Sequence, residues 1–263
     1  MPTLRAEQTL RSHLMKPIKK ASWFGRQFIS ARMLFNTLIA SFHSLIIAYF
    51  GKNKRKRADA RIDKWSGQLL RNVKMTYEVF NAKNFSFKDS KPYVVMSNHL
   101  SHLDIPLIFQ AFPKQTVRML TKKELFKVPL WGTAMKVAEF ISIDRKNQRQ
   151  AMRDLATAKE AMLSGIRLWI SPEGTRARNS KLQNFKRGGF KIAVDLGAMI
   201  LPVGIRGSNK GLPPDRFEYY KNVHAEVHIG EPIDASKFTD KTLKELIEKV
   251  RDQIATLAGP EYV

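Results

Sequence analysis

The hydrophobic pattern changes character at Lys91. Before it, apolar residues gather in one block, Met33 to Phe50 (MLFNTLIASFHSLIIAYF), eighteen residues without a formal charge. After it they come in short β-branched runs separated by stretches with helical spacing. Tyr93 to Ser97, Phe140 to Ile143, Leu168 to Ser171 and Ile200 to Ile205 read as strands, being short and apolar. Asn147 to Leu163 repeats apolar positions at helical intervals through Met152, Leu155, Ala158 and Met162, as do Phe185 to Leu196 and Thr242 to Leu257. Strands alternating with helices predict an α/β domain whose central sheet is largely parallel and flanked by helices. No internal repeat or low-complexity linker divides this part, so it is expected to be one domain.

The block at Met33 to Phe50 predicts something different. As a helix it would be about 27 Å long, close to the hydrocarbon thickness of a bilayer. The polybasic string Lys52 to Arg57 (KNKRKR) follows at once, which suits an anionic cytoplasmic membrane surface. A secretory signal does not fit, because thirty-two residues precede the run. Asn36, Ser41, His43 and Ser44 are awkward in lipid. They leave four arrangements open: a spanning helix, one lying in the interface, a shallow helical hairpin, and a buried core helix. Residues 1–57 are therefore read as a basic, apolar, helical membrane-associating segment. Residues 58–263 are read as the α/β domain, which opens with a basic, largely helical connector over 58–90.

Charge reinforces this reading. Forty-six Lys and Arg against twenty-three Asp and Glu leave +23, which calls for an anionic partner. Residues 1–75 hold sixteen of the cations against Glu7, Asp59 and Asp63. Nucleic acid would also answer to this charge, but no binding fingerprint with interleaved aromatics is present, and the densest basic string adjoins the apolar run. Nucleic acid is therefore not expected as a partner. The chain has no Cys, which excludes thiolate catalysis, disulfides and Cys-ligated zinc.

Two polar segments carry candidate chemistry. Ser97 to Asp104 (SNHLSHLD) follows a strand and holds His99 five residues before Asp104, with His102 between them. An imidazole can take a proton from an alcohol when its far nitrogen donates to a carboxylate. The same string could cap a helix or supply metal ligands, but the remaining histidines, His13, His43, His224 and His228, lie in no ligand motif. No metal is expected. Ser171 to Arg176 (SPEGTR) also follows a strand. Gly174 permits a tight turn, Thr175 and Arg176 offer donors suited to phosphate, and Glu173 could orient Arg176 or hold a substrate hydroxyl.

Together, His99-x-x-x-x-Asp104 and the Glu173-Gly174-Thr175-Arg176 string about seventy residues later resemble the glycerolipid acyltransferase family. Lys122-Lys123-Glu124-Leu125-Phe126, Pro129, Gly132 and Ile143-Asp144-Arg145 are similar to that family's second motif. Leu201-Pro202-Val203 is similar to its fourth. Phe185 to Gly189 stands where the family keeps a basic, Gly-containing helix start. The resemblance covers about residues 91–207. Lys136 and Glu139 depart from it, standing where the family often has Arg and Gly.

The resemblance implies a membrane acyltransferase of phospholipid synthesis, with its catalytic domain on the cytoplasmic face. His99 and Asp104 would be catalytic. Lys122, Arg145, Glu173, Gly174, Thr175 and Arg176 would bind substrate, with Lys123 the fallback for Lys122. No cofactor is implied. The donor would be acyl-CoA or acyl carrier protein, and the acceptor a lysophospholipid. The Thr of the EGTR string leans toward lysophosphatidate, ahead of glycerol 3-phosphate or another lysolipid. With neither Cys nor a G-x-S-x-G elbow, transfer would be direct, with no acyl-enzyme.

Overall fold

In the computed structural model, residues 16–50, 52–82, 86–87, 91–144, 147–178 and 181–262 are described. The apolar block lies inside a longer helix, α1 (Trp23–Phe50), and the basic string leads into α2 (Lys54–Asn72). Then follow β1 (Thr76–Phe80), β2 (Tyr93–Ser97), α3 (Asp104–Ala111), β3 (Val117–Lys122), α4 (Trp131–Val137) and β4 (Ile141–Ile143). The chain continues through α5 (Gln148–Leu163), β5 (Arg167–Ile170), α6 (Arg187–Asp195) and β6 (Met199–Arg206). It ends with β7 (His224–Ile229), the short β8 (Ile233–Asp234) and α7 (Leu243–Ala258).

These strands form one sheet in the order β1-β7-β6-β2-β5-β3-β4, with β8 beside β6, and a separate two-stranded ladder pairs Lys19–Lys20 with Tyr220–Lys221. Neighbours in the sheet run parallel except where β6 meets β7 and β8. The expected α/β architecture is therefore present. The central strands are buried on both faces, as parallel sheets require, yet they still divide their side chains by parity. Val95 and Trp169 join a core beneath α1, α2 and α3 with Ile29, Leu70 and Leu107. Val94, Met96, Leu168 and Ile170 join the opposite core with Phe190, Val250 and Ile254 of α6 and α7.

Besides the short β8, three strands lie outside the apolar runs that the sequence shows most clearly. β1 falls within the stretch read as a helical connector, which is helical only as far as Asn72. Only Tyr77 and Val79 of β1 reach the core, because it is the last strand of the sheet. β7 alternates half-buried polar residues with buried Ala225, Val227 and Ile229. In β3, Arg118 is 1% exposed and ion-paired with Asp59 of α2 at 2.7 Å. A paired charge can occupy a core position that composition alone reserves for an apolar residue.

The polar residues of α1 also find places. Ser41 and Ser44 are buried, and Thr37 Oγ1 accepts a hydrogen bond from Trp65 Nε1 of α2 at 3.1 Å. The helix therefore turns one face to the protein, while Phe24, Phe28, Phe35, Phe42 and Phe50 stand exposed on the other.

Candidate active site

β2 ends where its backbone is pinned to β6. The Asn98 side chain donates to Ile205 O at 2.9 Å and accepts from Ile205 N at 2.7 Å. The chain then leaves the sheet in a tight turn organised by Asp104. Its Oδ2 receives Leu100 N at 2.7 Å and Ser101 N at 2.8 Å, and lies 2.7 Å from His99 Nδ1. Asp104 is fully buried at the first turn of α3, where the helix dipole favours a carboxylate. Nδ1 of His99 is thereby assigned as the donor, leaving Nε2 with a lone pair. The His99 side chain keeps 19% of its surface exposed, and Trp169 meets its ring edge-to-face at 6.5 Å.

The second segment braces the first. Glu173 accepts from His99 N at 2.8 Å through one carboxylate oxygen and from Gln183 N at 2.9 Å through the other. Ala177 N donates to His99 O at 2.8 Å. Glu173 is 2% exposed and fastens the two loops together through these bonds, while it also borders the cavity that Gly174 and Thr175 line. Burial pushes its carboxyl above the usual range, against the pull of those two amides.

The rest of that segment remains open. Gly174 adopts φ +73, a conformation that costs a side chain about 1 kcal/mol or more. Gly174 and exposed Thr175 line a cavity of about 860 Å³. Lys186 and Arg187 line it too, from the start of α6, so the basic Gly-containing string faces the EGTR turn. Arg176 is half-buried and has no ion-pair partner among the described residues.

His102 occupies a different position from His99. It stands with Ile105, Met119 and Phe140 around an apolar cavity of about 190 Å³ walled by α1, α2 and α4. His102 is exposed as a residue but keeps part of its ring against these walls; that partial desolvation, helped by the charges of Arg176 and His99, lowers its pKa to about 4. Lys122, at the end of β3, is exposed and adds a further lowering influence. Lys123 is instead drawn to Asp144 at 3.4 Å. Arg145 lies outside the described residues.

The departures from the motif also acquire locations. Glu139 is paired with Arg55 of α2, so its carboxylate is neutralised within the scaffold. Gly132 is required by close approach, since a Cβ there would fall 2.1 Å from Phe126 O. Asn98, Trp169 and Gln183 were not singled out from sequence. Only Asn98 carried a signal, being a polar residue directly between a strand and the His99 turn.

The EGTR turn and the His99 turn leave the carboxyl ends of β5 and β2, two adjacent parallel strands, which is where open α/β sheets place ligands. Such a site holds an oriented base, apolar space around it, and beside it the cations Lys122 and Arg176, neither ion-paired among the described residues. It is equipped to deprotonate an alcohol carried on an anionic, lipid-like molecule.

Comparison with known proteins agrees. The acyltransferase family model matches residues 77–206. The chain is 30% identical over 194 residues to human 1-acyl-sn-glycerol-3-phosphate acyltransferase alpha, a match covering 72% of this chain and 67% of that protein. It is 32% identical over 167 residues to the 1-acyl-sn-glycerol-3-phosphate acyltransferase of Saccharomyces cerevisiae, covering 62% and 54%. The fold is shared with the crystal structure of the 1-acyl-sn-glycerophosphate acyltransferase of Thermotoga maritima. There the TM-score is 0.68 at 24% identity, covering 86% of this chain and 94% of that one.

Proposed function

The chain belongs to the acyltransferase family, and from that premise we propose that it transfers a fatty acyl group from a thioester to the sn-2 hydroxyl of lysophosphatidate, giving phosphatidate. The observation that carries this reading is the His99–Asp104 pair at 2.7 Å beside the EGTR turn. His99 Nε2 accepts the hydroxyl proton as the oxygen attacks the thioester carbonyl. The new C–O bond forms, the C–S bond breaks, and the imidazolium returns its proton to the departing thiolate. Asp104 holds the ring in the required tautomer and balances its transient charge.

Arg176 and Lys122 bind the acceptor phosphate in this reading. Both are free of ion-pair partners among the described residues, and both charges act on His102, one turn from the base. The donor is a thioester of coenzyme A or acyl carrier protein. The apolar cavity beside His102 and the larger cavity beside Thr175 are the spaces available to the apolar and anionic parts of the substrates.

The protein works at a membrane surface. Its support is α1, whose inner face packs against α2 and α4 while its outer face exposes a row of aromatic side chains. With one side of α1 against the domain and the other apolar and exposed, we place the helix in the interface with the domain on the cytoplasmic side.

Product mass spectrometry with both thioester donors and several acceptors tests the assignment. Wild type should yield phosphatidate, and folded His99→Ala should be slower by about a hundredfold or more. Retained turnover in His99→Ala, with loss in His102→Ala, would move the base to His102.

A further inference from the structure

The end of α1 remote from the basic string Lys52 to Arg57 carries a second cationic feature. A depression of about 800 Å³ is lined there by Lys16, Lys19, Arg71, Lys74 and Lys221, and no carboxylate lines it. None of these five has an ion-pair partner among the described residues. The neighbouring Lys20, by contrast, is paired with Glu218 at 2.7 Å. The cations come from three separate parts of the chain, brought together by the pairing of Lys19 with Lys221 and by the turn from α2 into β1. Two residues of the lining, Lys74 at φ +52 and Asn222 at φ +61, hold left-handed backbone that costs a non-Gly residue energy. Five like charges in one place repel one another, and an anion seated among them would offset that repulsion.

The surroundings identify the anion. Lys221 Nζ lies 3.8 Å from where a Cβ on Gly25 would be, beside the first turn of α1. That turn presents Trp23 and Phe24 to solvent, 59% and 78% exposed, and Ile18 between the lining residues Pro17 and Lys19 is 52% exposed. A cation-lined pocket fringed by exposed aromatic and aliphatic side chains matches a surface whose anions sit directly above hydrocarbon. We propose that this pocket binds the phosphate-bearing headgroup of an anionic phospholipid within the bilayer surface. It is separate from the acyl-transfer turn and does not depend on the catalytic reading. Together with the basic string at the far end of α1, about 42 Å away along a 28-residue helix, it gives the helix two anionic-lipid contacts. One leaflet can satisfy both only if α1 lies in the membrane plane.

The test is co-sedimentation of full-length protein with vesicles of phosphatidylcholine alone or mixed with phosphatidylglycerol. The pocket variant Lys19→Ala/Lys74→Ala/Lys221→Ala is compared with Lys237→Ala/Lys241→Ala/Lys249→Ala, which removes equal charge from the α7 side. Thermal melts establish that both are folded. The pocket variant should lose about tenfold or more of its binding to the mixed vesicles at low salt, with little change on phosphatidylcholine. The control should stay near wild type. Equal losses in the two variants would reduce the effect to net charge and overturn the site. Release of wild type by inorganic phosphate at matching phosphorus concentration would make it a free-anion site. If the pocket variant keeps vesicle binding but raises KM only for acyl carrier protein thioesters, the pocket docks an acidic protein and the lipid proposal falls. Activity on detergent-dispersed lysophosphatidate is measured in parallel. A wild type that binds vesicles but shows no transfer would sink the catalytic reading and leave this one standing.

Discussion

The Arg55 guanidinium grips the Glu139 carboxylate with two parallel hydrogen bonds, Nε to Oε2 at 2.7 Å and Nη2 to Oε1 at 2.6 Å. The same group reaches Ser164 Oγ at 2.9 Å, so α2 is clasped to the ends of both α4 and α5. Glu139 makes this contact from left-handed backbone, φ +60, a conformation that Gly adopts at little cost. The ion pair offsets the strain, and both disappear together in a Gly.

That balance predicts an order of stabilities. Glu139→Ala loses the pair and keeps the strain, whereas Glu139→Gly loses the pair and relieves it. The Gly variant should be the more stable of the two by about 1 kcal/mol in urea unfolding. An Ala variant equal to or better than Gly would show that the left-handed conformation is not held in solution.

Asp104→Asn should lower kcat about a hundredfold or more with little change in KM. The Asn amide oxygen can take the place of Oδ2 and receive the same three donors, but it carries no negative charge to balance the imidazolium that forms on His99. Steady-state kinetics on folded variant decides it, and a change confined to KM would remove Asp104 from the proton path.

Lys122→Ala should raise KM for lysophosphatidate more than Lys123→Ala does. Lys123 is already drawn to Asp144, while Lys122 has no ion-pair partner among the described residues. Arg176→Ala should have the largest effect on the acceptor, and Arg176→Lys should recover only part of it, because Lys cannot form two parallel bonds. Equal KM values for the two Lys variants would argue against the assignment.

His102 should stay neutral well below neutral pH, with an NMR titration midpoint near its lowered value of about 4. The unfolded chain takes up this proton first, near the ordinary value of about 6.5. The neutral ring therefore contributes its stability above pH 6.5 and loses it as pH falls toward 4. The raised Glu173 carboxyl works in the opposite sense, losing stability as pH rises through its titration. His102→Gln should flatten the acid side of the urea-midpoint profile. An unchanged profile would place the ring in free solvent.

Replacing Phe28, Phe35 and Phe42 by Ser should weaken vesicle binding equally at low and high salt, because these exposed side chains contribute apolar burial and not charge. Co-sedimentation across a salt series measures it. Salt-sensitive loss would mean that the aromatic face stays in water. Truncation of residues 1–57 is a poorer probe, since Ile29 and Ile47 of α1 are buried and the cut would open the core.

The sequence alone determined the α/β class, the strands buried on both faces, the His99–Asp104 pair and the EGTR turn. Each is local. A run of β-branched residues, a five-residue spacing and a Gly beside donors act within one or two turns of chain, and their physics is complete in the string itself. Tertiary structure decided whatever depends on a distant partner. The two backbone amides that Glu173 receives, His99 N and Gln183 N, come from separate loops and cannot be read from the EGTR string. Arg118 hides a strand because its counter-charge, Asp59, lies on another element. Likewise, Lys16, Lys74 and Lys221 become a site only when the sheet and the helix ends bring them together. A charge's role is set by the field of its neighbours, which falls off over a few ångströms in space and takes no account of separation along the chain.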